Sequence, residues 1–124
     1  MFNNLIDAMK TYYSVHSRTK RKVQRIKRKI ERCVRLMGDD WSESGIDSVV
    51  GRYEYRIKYA LLPIVKFRDH IFSSPEYIDI HCDNRYVAKA LQDMVEKWES
   101  VGIKSFCRFR WRYKEKPHRS ESEE

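Results

Sequence analysis

Apolar and semi-polar side chains recur at Phe2, Leu5, Met9, Tyr12, His16, Thr19, Val23, Ile26, Ile30, Cys33 and Met37, in steps of three and four. One face of a helix needs that spacing, so a long helix is expected over residues 1–37, with Gly38 as its stop. Asn3 or Asn4 stands where a cap is wanted, and Asp7 falls in the first turn, where an acid is favoured. Between Ser14 and Thr19 the stripe thins and hydroxyl side chains compete for backbone hydrogen bonds, which predicts a kink or break there. Without a break the helix is a rod of about 50 Å that needs support from another chain or from the body of the protein. Its apolar face widens at Ile30, Cys33, Val34, Leu36 and Met37, which predicts docking of that end on the body.

Residues 39–48 are polar and acidic and read as a connection, with Trp41 as a cover over the core. From Val49 to Tyr59 the period shortens to two. Val49, Gly51, Tyr53, Tyr55, Ile57 and Tyr59 then share one strand face, and Arg52, Glu54, Arg56 and Lys58 share the other. Ile64, Val65 and Phe67 fit either a second short strand or a short helix starting at Pro63. Tyr77–Cys82 reads as a strand, and Asp83 or Asn84 caps a helix to about Ser100 whose buried stripe is Val87, Leu91, Met94, Val95 and Trp98. After Gly102, residues 103–113 alternate again, with Cys107, Phe109 and Trp111 on one side and Phe106, Arg108, Arg110 and Arg112 on the other.

The predicted fold is therefore α+β. A long basic N-terminal helix precedes a small three- or four-stranded mixed sheet with a helix packed on one face, in β-β-β-α-β or β-β-α-β order. The expected organisation is an amphipathic basic helix over residues 1–38, an α/β body over 39–114, and a tail over 115–124 too polar to pack.

Charge changes this picture most. The chain has 26 Lys and Arg against 18 Asp and Glu, a net +8, and the excess is uneven: +9 over residues 1–37, −4 over 38–100 and +3 over 101–124. Between Arg18 and Arg35 the basic residues are Arg18, Lys20, Arg21, Lys22, Arg25, Lys27, Arg28, Lys29, Arg32 and Arg35, with Glu31 the sole acid. An ordinary solvated helix face mixes signs four residues apart; this one does not, and it points to a polyanion. Read as heptads, Lys22 of a parallel partner would face Lys27, which disfavours a free-standing parallel coiled-coil homodimer. Antiparallel pairing, packing on the body or neutralisation by phosphates each removes that objection.

Two basic surfaces are expected. The helix supplies Arg21, Lys22, Arg25, Lys27, Arg28, Lys29, Arg32 and Arg35. The open sheet face supplies Arg52, Arg56, Lys58, Arg108, Arg110 and Arg112, with Phe106 to stack on a base. No base-reading motif is present: zinc-finger spacing is absent, and the heptads stand on the wrong side of the basic run for a basic zipper. Backbone or shape recognition is favoured over sequence reading, of DNA or RNA, with a duplex slightly preferred.

Other chemistries are weaker. Asp79, His81 and Asp83 alternate at a strand end, a mixture able to hold a divalent metal for phosphodiester hydrolysis, but alternation alone puts any such trio on one face. No catalytic residue, metal site or cofactor is expected. Leu5, Met9, Tyr12 and Tyr13, with Phe2, form an apolar stripe suited to homo-oligomerisation or to gripping a host protein as an adaptor or inhibitor. Three unspaced cysteines, Cys33, Cys82 and Cys107, fit a reducing compartment. With no signal-like start and no membrane-length apolar run, a cytoplasmic or, in a eukaryotic host, nuclear location is expected. The function read from the residues is a nucleic-acid-binding regulator or genome-organising factor, of a size and architecture compatible with phage or viral proteins.

Overall fold

The computed structural model describes residues 5–71 and 77–113, in the order α1 (Leu5–Met37), α2 (Glu43–Ile71), β1 (Ile78–Cys82), α3 (Arg85–Ser100) and β2 (Cys107–Trp111). Helix α1 is continuous through Ser14–Thr19. Its buried stripe continues there, because Tyr12, Thr19, Val23, Ile30 and Val34 are all buried. Gly38, with φ +57°, ends it in a left-handed conformation that favours glycine. A single 3₁₀ turn, Gly38–Asp40, then leads to Ser42, whose Oγ accepts the Gly45 N–H at 3.0 Å and caps α2.

Helix α2 runs back along α1. The Tyr12 and Phe67 rings lie 5.9 Å apart, Cys33 Sγ is 4.0 Å from the Tyr53 hydroxyl, and the Met37 side chain packs against Gly45, so the two helices form an antiparallel hairpin. The support demanded by so long a rod comes from the chain itself.

This helix corrects the sequence expectation. Val49–Tyr59 is not a strand, Ile64–Phe67 is not its partner, and among the described residues the sheet has two parallel strands rather than three or four mixed ones. The buried positions Ile46, Val49, Val50, Tyr53, Ile57, Leu61 and Ile64 step by three, one, three, four, four and three, the helical period, and Tyr53 alone among them is only partly buried. Tyr55 and Tyr59, which a strand would have buried, are 66% and 59% exposed. Pro63 sits inside α2, where it removes the N–H that would bond the Tyr59 carbonyl. Its exposed position leaves that carbonyl on the solvent side.

The remaining chain forms a β-α-β unit. Strands β1 and β2 pair in parallel, with Ile78 opposite Cys107, Ile80 opposite Phe109 and Cys82 opposite Trp111. Asn84 caps α3 by accepting from the Tyr86 and Val87 N–H groups at 2.8 and 3.2 Å. The expected stripe of α3, Val87, Leu91, Met94, Val95 and Trp98, is buried, as are Ile78, Ile80, Cys82, Cys107 and Phe109 on the inner face of the strands. Two strands alone are marginal in water. Here α3 stabilises them twice over, by covering that face and through Gln92, whose Oε1 accepts the Phe109 N–H at 2.9 Å.

Two polar ties join hairpin and β-α-β unit. Trp98 Nε1 donates to Glu54 Oε2 at 2.6 Å, linking α3 to α2. Glu31, only 5% exposed on α1, takes Lys27 Nζ at 3.1 Å and accepts the Asp83 and Asn84 N–H groups at 2.6 and 3.3 Å. Its carboxylate thus satisfies the backbone at the turn from β1 into α3.

Two changes test this architecture. Glu31→Gln keeps an acceptor for the turn but leaves the buried Lys27 ammonium unpaired, so it should lower unfolding free energy in urea by about 3–5 kcal/mol. Adding Lys27→Met should recover most of that loss; an equal loss in single and double variants would place the energy in the backbone bonds instead. Gly51 has open space around its Cα and lies mid-helix, so Gly51→Ala should raise stability by about 0.5–1 kcal/mol.

Candidate nucleic-acid interface

A 3.6-residue period decides which cations of α1 reach solvent. Arg18, Arg21, Lys22, Arg25, Arg28, Lys29, Arg32 and Arg35 recur at steps of three and one on the side away from the core, and all eight are exposed. Lys20 is half-buried, and Lys27 is withdrawn into its pair with Glu31. Among the described residues no carboxylate lies within ion-pair distance of the eight; Arg18 Nε reaches only the Ser14 carbonyl, at 3.4 Å. Seven of the eight helix residues expected to meet nucleic acid, all but Lys27, therefore share one uncompensated surface.

That surface continues into a groove between α1 and α2 of about 510 Å³, lined by Lys22, Arg25, Ile26, Lys29, Tyr55, Arg56, Tyr59 and Ala60. Four cations and no acid line it. Tyr55 and Tyr59, one helical turn apart, meet edge to face with ring centroids at 4.9 Å. A hydrogen bond with Tyr59, and to a lesser extent desolvation, raises the Tyr55 phenol above its ordinary value, so it stays neutral under physiological conditions. The period-two reading of α2 assigned both tyrosines to a core. Helical numbering would have found them, because they lie away from Ile57, Leu61 and Ile64.

The strand cations are placed differently. Arg52, Arg56 and Lys58 belong to α2, so no continuous sheet patch joins them to Arg108, Arg110 and Arg112. The outer face of the strands is open, but acids occupy it too: Arg110 Nε stands 3.3 Å from Asp79 Oδ1, and Arg112 Nε 2.7 Å from Asp83 Oδ1. Arg108 lies over the Tyr77 ring at 4.5 Å. Phe106 is half-buried, with its ring 6.1 Å from that of Tyr77 and its backbone at φ +55°.

A second cavity, of about 660 Å³, lies where α1 passes the carboxyl ends of the strands, lined by Gln24, Lys27, Arg28, Glu31, Arg35, His81, Asp83 and Arg112. Here helix and strand cations do converge, yet Glu31 and Asp83 neutralise Lys27 and Arg112, leaving Arg28 and Arg35. Asp79, His81 and Asp83 share the outer face, but among the described residues no three His, Cys, Asp or Glu side chains converge on a point where a metal could sit.

Of the apolar N-terminal stripe, Tyr12 is spent inside the molecule, 2% exposed against Phe67. Met9 is half-buried, Tyr13 is 51% exposed, and Ile6 is 65% exposed. Phe2 and the Leu5 side chain lie outside the described residues, as does the tail from 114 on. No helix among the described residues is long and apolar enough to cross a membrane. Comparison with protein-family models, with curated proteins and with solved structures finds no match for this chain.

The cysteines are placed for packing. Burial, reinforced by nearby Glu31, pushes the Cys82 thiol up to about 12, and burial pushes Cys107 higher still. Both stay protonated in the fold, so each favours the folded state below the ordinary thiol range near ~8.5 and loses that contribution as pH climbs through the raised value. Because the thiolate is the reactive form, a disulfide-exchange reagent at pH 8 should titrate the half-buried Cys33 in the native protein and all three cysteines in denaturant. Fast reaction of three thiols without denaturant would contradict this packing.

Proposed function

We propose that this protein binds nucleic acid through the exposed face of α1, by contacts to the phosphate backbone and without covalent chemistry. The observation that carries the reading is the set of eight exposed cations from Arg18 to Arg35 that no carboxylate among the described residues compensates. Those residues span about 25 Å of helix, and a duplex places one negative charge every ~1.7 Å of its axis, so several phosphates fall within reach of one rigid element. Arginine supplies six of the eight, and its planar fork matches phosphate oxygens in pairs.

An anionic membrane would also attract such a helix, but interfacial binding needs a free apolar face to sink into the lipid. Over the basic stretch the apolar side of α1 is turned inward, with Val23, Ile30 and Val34 buried in the core. This favours a polyanion met through its phosphates, with affinity drawn largely from counterion release.

Binding of a labelled 20-base-pair duplex, followed by fluorescence anisotropy across a salt series, should give a linear fall of log K with log salt. Changing Arg25, Arg28 and Arg32 together to alanine should weaken binding and flatten the slope by about 3. Retention of the slope by the triple variant, or absence of salt-dependent binding of both this duplex and a single strand of the same length by the parent protein, would overturn the assignment.

A further inference from the structure

We propose that the groove between α1 and α2 receives an unpaired nucleotide, with Tyr55 and Tyr59 as the surface for its base, so that the preferred ligand is single-stranded or carries a single-stranded segment. This inference rests on the nucleic-acid reading of α1 and adds to it the class of strand that is bound.

Phosphates need only charge; the groove offers more. Its walls carry Lys22, Arg25, Lys29 and Arg56, while Ile26 and Ala60 add apolar surface. Two large aromatic rings stand in solvent at its rim, more than half exposed, each a turn from the other on a rigid helix. Leaving two tyrosines in water forgoes the stabilisation their burial would bring. The combination of cations that track a backbone with aromatic faces for the bases is the chemistry by which single strands are held. A continuous duplex has its bases stacked internally and offers no π-face to such rings except at an end.

Position supports the same conclusion. Lys22, Arg25 and Lys29 belong both to the exposed face of α1 and to the groove wall, so a strand whose phosphates follow α1 passes directly over the tyrosines. The other basic cavity lacks this feature: it contains Glu31 and Asp83, and His81 is its one aromatic ring. The groove is therefore assigned to a base within a strand, and the arginine-rich face to its flanking phosphates.

The test compares the parent protein with Tyr55→Leu/Tyr59→Leu and with Tyr55→Phe/Tyr59→Phe, using a 20-nucleotide single strand and a blunt duplex of the same length at one salt concentration. The leucine variant should lose about tenfold or more in affinity for the single strand and change within about twofold for the duplex, and the phenylalanine variant should hold the single strand nearly as well as the parent. A single strand substituted with 5-iodouracil should crosslink on irradiation to Tyr55 or Tyr59. Equal losses on both ligands, no loss on either, or competition by a free mononucleotide as effective as that by the strand would overturn the proposal. If the arginine triple variant loses binding while the tyrosine variants do not, the groove assignment falls and the phosphate reading stands. If the parent protein binds neither ligand, both fall together.

Discussion

The Glu31 carboxylate is the contact on which the arrangement of this protein depends. An acid in the middle of ten bases invites interpretation as a stray charge, but its position at a buried junction gives it three partners at once. It neutralises Lys27 within α1 and accepts the two N–H groups that β1 exposes as it turns into α3. A carboxylate removed from water is tolerated only when its charge and lone pairs are both satisfied, and here they are. The consequence is orientational. Helix α1 is locked in rotation about its own axis, which fixes the direction in which the other cations point.

Much of this architecture can be read from the residues. The three-and-four spacing of α1, the Gly38 stop, the capped helix from Asn84 and the two flanking strands all follow from periodicity and capping chemistry, because in each the local preference and the tertiary environment agree. Residues 46–64 are where they diverge. Val49, Tyr53, Tyr55, Ile57 and Tyr59 carry β-branched and aromatic side chains at alternate positions, and their local preference is for a strand. Ile46, Val50, Leu61 and Ile64 complete a helical stripe that matters only because α1 lies ready to cover it. Pro63 reads as the end of a strand or the start of a new helix, since a proline inside a helix is costly, whereas here it is accommodated within α2 at an exposed position.

The candidate site was legible in proportion to its dependence on charge. A one-signed run of arginine and lysine survives any folding of α1 into a helix, and seven of its eight expected contacts remain on one face. The arginines at and just after β2 look equally available in the sequence, but Asp79 on β1 and Asp83 just past its end lie four positions apart, and parallel pairing brings them beside Arg110 and Arg112. Tyr55 and Tyr59 could not be recognised as surface groups while their segment was read with a period of two. An error of secondary structure became an error about chemistry.

The unshared charge of α1 also acts on the protein that carries it. Eight like charges on a single face repel one another, and among the described residues no carboxylate stands within ion-pair distance of any of them. A polyanion bound there, as proposed, would relieve that repulsion, since whatever associates with the folded form alone stabilises it by linkage. On the proposed function, folding and ligand occupancy would be joined through the same residues, and the form whose cations are neutralised would be the more stable one.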